Sequence, residues 1–348
     1  MPQSFKATSL LGITHPVIQG PFGGGLSSVA LTSTVSNLGG LGSFGAHHLS
    51  PPQLRHVIQE IRQHTDKPFA MNLWIKDADE DGMYISKEKF EETYHTLQPY
   101  FEILNIPKPS YPEQFGQKFE HQIEVILQEK PPVFSFVYGI PSKEILHECK
   151  KRDIITIGTA ITPDEAGALD DAGVDAIVAT GFEAGGHRVA FLREAEDSLF
   201  GTFSLIPQVR KLTKRPVIAA GGIASAEGVK AALMLGADAV QVGTAFLACE
   251  ESNAPSVHKD ILFSSQARQT SLTRIFTGRL ARGIHNKIMK EQHLYAPYPA
   301  QSWFMSHIKN AAVAQQRPEF ISLWAGQSAS LLHHRTAKDV FCALIEGL

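Results

Sequence analysis

The stretch Ala179-Thr180-Gly181-Phe182-Glu183-Ala184-Gly185-Gly186-His187-Arg188 joins an apolar run, Ala176 to Ala179, to a glycine pair and an imidazole. Gly185 and Gly186 lack Cβ atoms and tolerate positive φ, so the backbone can approach a flat ligand closely. His187 titrates near neutral pH and can take a proton from a bound molecule. A titratable ring beside glycines at a strand end is a candidate active-site base. Glu183 reads as a structural carboxylate that binds backbone groups or Arg188.

Three further glycine segments end apolar runs: Gln19-Gly20-Pro21-Phe22-Gly23-Gly24-Gly25, Gly221-Gly222 and Gly243-Thr244. Glycines at such positions let backbone N–H groups reach a phosphate or a ring edge, and Ser225, at the next helix start, would add a donor. Asn72 and Gln241 each bring an uncharged side chain able both to donate and to accept, at the end of one predicted strand and within another. Turn formation and core hydrogen bonding are the competing roles for both. His47-His48 and His333-His334 have no carboxylate or histidine at a usual metal-ligand spacing and read as surface or packing residues. The chain contains no GxSxG, HExxH, P-loop or Rossmann fingerprint, which removes the common hydrolase, zinc-protease and NTPase readings.

These residues need a scaffold that gathers distant segments. Short apolar runs recur at Pro16 to Gln19, Leu38 to Phe44, Pro68 to Trp74, Val133 to Tyr138, Ile154 to Ile157, Ala176 to Ala179, Pro216 to Ala220 and Ala239 to Val242, with helix-like segments between them. Their continuous apolarity fits parallel strands buried on both faces, and the rhythm predicts an α/β (β/α)₈ TIM barrel, with a doubly wound sheet as the competitor. An internal echo agrees: Thr162, Gly173, Asp175 and Ala176 align without a gap on Ser225, Gly236, Asp238 and Ala239, as cap, stop and strand start of successive units. In a barrel the glycine segments, which follow strands one, six, seven and eight, share the C-terminal rim, where the last two strands often bind phosphate.

The rhythm breaks between Trp74 and Val133. Lys76, Asp77, Asp79, Glu80 and Asp81 precede an amphipathic stretch, Phe90 to Phe101, and a proline-bearing loop, Pro107 to Pro112. An insertion here (76–130) emerges on the active-site face, where a lid and a surface elaboration are equally expected. Residues 1–255 are assigned to the barrel and 256–348 to a helical segment packed on its mouth, with helical pattern at Ile261 to Leu272 and Ser302 to Val313 around the turn Tyr295-Ala296-Pro297-Tyr298-Pro299.

The formal charge of −3 and pI near 6.6 argue for a small-molecule ligand and against nucleic acid or an anionic membrane. No apolar run is long enough to span a bilayer and Met1 to Gly12 lacks an apolar signal region, so a cytoplasmic protein is expected. The three cysteines, Cys149, Cys249 and Cys342, are far apart and read as reduced.

Several motifs together resemble the class I nitronate monooxygenases (2-nitropropane dioxygenases). They are PVIQGPFGGG from Pro16 to Gly25, MNLW from Met71 to Trp74, VFSFVYGIP from Val133 to Pro141, EAGGHR from Glu183 to Arg188, PVIAAGGI from Pro216 to Ile223, and VQVGTAFL from Val240 to Leu247. TGRLARGIHN from Thr277 to Asn286, PYP from Pro297 to Pro299 and WAGQ from Trp324 to Gln327 extend the likeness to nearly the whole chain. The resemblance implies an FMN-dependent barrel that oxidises alkyl nitronates, such as propionate 3-nitronate, and nitroalkanes with O₂, releasing a carbonyl product and nitrite. It implies that His187 is the catalytic base. It implies that FMN is held by Gly20, Pro21, Phe22, Asn72, Gly185, Gly186, Gly222, Gln241, Val242, Gly243 and Thr244, with Thr180 where the family usually has glutamine. Tyr298, in a proline-bounded turn, is equally expected to face the substrate or to serve as packing, and Tyr138 stands at a position that varies among relatives. Two alternatives accompany this reading: an FMN-dependent NAD(P)H reductase of quinones or enoyl thioesters, and a barrel that binds flavin without turnover.

Overall fold

The computed structural model describes residues 5–75 and 83–348. The charged run Lys76 to Asp81 lies outside them. Eight parallel strands form the central sheet: β1 (Val17–Gln19), β2 (Gly42–Gly45), β3 (Phe69–Trp74), β4 (Val133–Val137), β5 (Ile155–Ala160), β6 (Ala176–Thr180), β8 (Val217–Ala220) and β9 (Ala239–Val242). They follow the order β1-β9-β8-β6-β5-β4-β3-β2, and a parallel bridge from Ile18 to Leu41 joins the two ends. The expected TIM barrel is therefore the observed fold, and each expected strand has a counterpart. In β2 the chain runs so close to the helix Val29–Asn37 that a Cβ on Gly42 would fall 1.9 Å from the Thr32 carbonyl oxygen.

Side chains alternate across each strand, which sorts the barrel residues into two sets. Val17, Met71, Phe134, Phe136, Ile177, Val217, Val240 and Val242 point outward into the buried cluster shared with the surrounding helices. Ile18, Ala70, Val133, Ile157, Ala176, Val178, Ile218 and Ala239 fill the interior together with Ala7 and Leu11 of the helix Lys6–Leu11. Each large apolar side chain removed from water in this way contributes about 1.5–3 kcal/mol.

The capping echo is realised in both units. Thr162 and Ser225 accept hydrogen bonds from the third backbone N–H of their helices, and Gly173 and Gly236 take positive φ at the helix ends. The Glu165 carboxylate reaches further than its own cap: it accepts from Ile161 N at 2.8 Å and from Phe191 N at 2.7 Å, tying the loop after β5 to the loop that follows His187.

Phe90 to Phe101 lies within the helix Lys87–Ile103, which packs on the helix Ala300–Ala314 through Phe90, Leu97 and Phe304. One expectation in the C-terminal segment requires correction. The helical pattern read from Ile261 to Leu272 stops at Leu262, and β10 (Thr270–Thr273) is a strand paired antiparallel with β11 (Ala281–Ile284). Thr270 and Thr273 are β-branched, and β11 offers the edge that satisfies their backbone groups, which overrides the weak helical periodicity. β11 also pairs with the short strand β7 (Gly186–His187), so a three-stranded sheet carries His187.

Candidate active site

The alternation that builds the core also builds the site. One step toward the C-terminal end from the apolar interior layer, the inward positions become Gly20, Asn72, Ser135, Thr159, Thr180, Ala220 and Gln241, and all of them line one cavity of about 310 Å³. Asn72 donates to the Ser135 hydroxyl at 3.0 Å. Among the expected positions, Gly20, Pro21, Phe22, Asn72, Thr180, Gly185, Gly186, His187, Gly222, Gln241, Gly243, Thr244 and Tyr298 border this cavity. Val242 does not: it is an outward position, fully buried against the helices, and only its carbonyl reaches the rim by accepting from Gly20 N at 2.8 Å. Ser225 likewise stands apart. It caps its helix and borders a separate hollow with the exposed His333 and His334.

The loop from Gly181 to Gly186 is held from behind by two arginines. Arg188, almost wholly buried, donates to Gly181 O at 2.7 Å and Thr180 O at 3.1 Å, and Arg282 donates to Phe182 O at 2.9 Å. Glu183 accepts from the Thr202 backbone N–H at 2.9 Å and from its hydroxyl at 3.0 Å, so the carboxylate is structural. Gly185 packs face to face on the segment Trp324 to Gln327: a Cβ there would come within 2.6 Å of the Ala325 carbonyl carbon. Gly326 N in turn donates to the Thr244 hydroxyl at 2.9 Å. The distant EAGGHR, WAGQ and VQVGTAFL motifs therefore meet as one wall.

His187 is half-buried, its open side turned to the cavity. Its Nε2 lies 2.9 Å from the Thr277 hydroxyl, and Trp74 and Trp324 pack around the ring at centroid distances of 5.0 and 5.4 Å. Burial first, and then the Arg279 guanidinium, bring its pKa down to about 3, so the imidazole is neutral at pH 7. A neutral imidazole facing a cavity is a proton acceptor. Arg279 itself lies against the rings of Tyr138 at 4.1 Å and Tyr298 at 4.2 Å.

Two neighbours were not legible as site residues. Of the two expected roles, surface or packing, His47 takes the second: it is buried, stacks on Trp74 at 3.9 Å with planes 10° apart, and borders the cavity, whereas His48 is exposed. Burial holds the His47 pKa well below its usual value. Thr277 is 90 residues from His187 in the chain, and only the pairing of β11 with β7 brings the two together. Among the described residues no group of histidine, cysteine or carboxylate side chains is arranged to hold a metal ion, and no helix is long and apolar enough to cross a membrane.

A parallel barrel whose polar, glycine-walled mouth is bordered by the imidazoles of His47 and His187 defines a small-molecule site. Residues 4–347 match the family model described as nitronate monooxygenase. The chain is similar to a probable nitronate monooxygenase of Staphylococcus saprophyticus, 37% identical, with 100% of this chain and 97% of the relative covered. It also resembles the solved nitroalkane oxidase of Streptomyces ansochromogenes, 33% identical with a TM-score of 0.88 over 97% of this chain and 96% of that one. FabK from Thermotoga maritima shares 29% identity and a TM-score of 0.76, covering 98% of this chain and 95% of its own. The chain belongs to the nitronate monooxygenase family and is an oxidoreductase.

Proposed function

We propose that the chain binds FMN across the polar mouth of the barrel and uses His187 as the base in the oxidation of nitroalkanes and alkyl nitronates by O₂. The observation that carries this reading is the single cavity in which a neutral imidazole faces glycine backbone and a ring of uncharged polar side chains. The wall suits a flat, polar-edged cofactor: a Cβ on Gly186 or Gly243 would meet nothing within 4 Å, so backbone borders open space at both places. Gly222, Gly243 and Thr244 would hold the phosphate, and Gly20 to Phe22 with Asn72, Thr180 and Gln241 would hold the ring system. Bound FMN supplies electron acceptance and the activation of O₂.

The protein's own contribution is positioning and a proton transfer. For a nitroalkane, the C–H bond next to the nitro group breaks, its electron pair remains as the nitronate, and the proton passes to a nitrogen of His187. The imidazolium and the nitronate then stabilise each other across the cavity, and Arg279 adds a fixed positive charge nearby. A nitronate arrives already deprotonated and needs only binding. The product pair is a carbonyl compound and nitrite.

The test is anaerobic mixing of the FMN-loaded protein with propionate 3-nitronate, with a nitroalkane and with NAD(P)H in separate experiments, following the visible absorbance of the flavin. Fast bleaching by the nitro compounds is expected. Fast bleaching by NAD(P)H alone would replace this reading with that of a reductase.

A further inference from the structure

Thr277 stands where a proton-accepting imidazole needs a partner on its far side. The residue is buried, in the turn before β11, and its hydroxyl makes three contacts. Oγ1 donates to the Arg279 carbonyl at 3.2 Å, accepts from the Arg279 N–H at 3.3 Å, and lies 2.9 Å from His187 Nε2. The Arg279 carbonyl gives the hydroxyl's only proton an acceptor, which leaves Oγ1 able to accept from Nε2–H. His187 Nδ1 has no protein partner among the described residues.

We propose that Thr277 is the positioning residue for His187: by accepting from Nε2–H it fixes the tautomer and leaves Nδ1 as the nitrogen that takes the substrate proton. This rests on His187 being the base. When Nδ1 is protonated, Nε2–H keeps the same acceptor, so the imidazolium forms without rearrangement of the turn. Among the described residues, Arg279 and His47 are charged or titratable groups that also bear on the ring. Arg279 is a cation whose charge opposes the imidazolium, and His47 is a second buried imidazole held neutral.

Thr277→Val removes the hydroxyl and keeps the shape, and Thr277→Ser restores the hydroxyl. In the valine variant, an imidazolium N–H directed at the buried turn loses its acceptor, so kcat/KM for a nitroalkane should fall roughly 10- to 100-fold. The acidic limb of its pH profile should move to lower pH, because the charged ring is harder to form. Propionate 3-nitronate turnover should change far less, and the serine variant should recover both quantities. Long-range ¹H–¹⁵N NMR of the FMN-loaded wild-type protein should show His187 protonated at Nε2, and the valine variant should lose that preference.

A wild-type ring protonated at Nδ1 would overturn the proposal whether or not the variant folds. Unchanged nitroalkane turnover in Thr277→Val would do the same. Failure of His187→Ala to impair nitroalkane oxidation would instead refute the underlying functional reading.

Discussion

The lower and upper halves of the barrel interior are made by the same strands in the same register, yet they are chemically opposite. Below, Ile18, Ile157, Val178 and Ile218 form a dry apolar layer backed by the helix Lys6–Leu11. Two residues further along, the same faces carry Gly20, Thr159, Thr180 and Ala220, with Asn72, Ser135 and Gln241 beside them. The first layer gains its stability from packing and would tolerate no polar vacancy. The second leaves polar groups turned toward a cavity, an arrangement that serves a ligand rather than the fold. Function in this barrel is a matter of height along the strand, and parity decides which residues take part.

That contrast is open to attack in order of expected effect. Ile218→Ala, in the lower layer, should cost about 2–5 kcal/mol of stability, as a buried truncation that leaves a cavity, while the folded fraction keeps its turnover rate. Urea titration with activity measured below the transition checks both parts. A smaller effect is expected from acid. His258, wholly buried and bonded through Nε2 to the Trp324 carbonyl at 3.1 Å, has its pKa brought down to about 4, chiefly by burial. The unfolded chain binds this proton more readily, so stability should fall as pH drops from about 6.5 toward 4, by up to about 3 kcal/mol for this residue. Melting temperatures across that range should decline, and His258→Asn should flatten the decline; a slope unaltered by the substitution would contradict the assignment.

The smallest effect belongs to the upper layer. Gln241→Ala should leave the stability of the flavin-free protein within about 0.5 kcal/mol, since the side chain is partly exposed to the cavity. It should weaken FMN retention roughly tenfold, the worth of one or two hydrogen bonds. Equilibrium dialysis of FMN against both proteins measures this directly. Equal damage to stability from Ile218→Ala and Gln241→Ala would erase the distinction between the layers.

Much of this organisation was legible in the sequence. The apolar runs located the strands because parallel barrel strands are buried on both faces, and the Thr162 and Ser225 caps marked their helices. The glycine segments pointed to one rim. The Val242 side chain turns away from the cavity because alternation along β9 sets it opposite Gln241, a parity that a motif taken as a contiguous string does not carry. His47 was read from its sequence context, which says nothing of Trp74 lying flat against it. β7, β10 and β11 escaped notice because two of them are short and the third looks helical by period, although Thr270 and Thr273 carried a β-branched signal. Thr277 sat within a quoted motif, but its meeting with His187 exists only through the sheet that those strands form.

The most direct test is the ratio of two activities in His187→Ala. With FMN bound, the variant should oxidise a nitroalkane about 10²–10⁴-fold more slowly than the wild type, the usual contribution of a positioned base, while its rate with the preformed nitronate stays within a few fold. Equal losses on both substrates, or no loss on the nitroalkane, would contradict the role given to this imidazole.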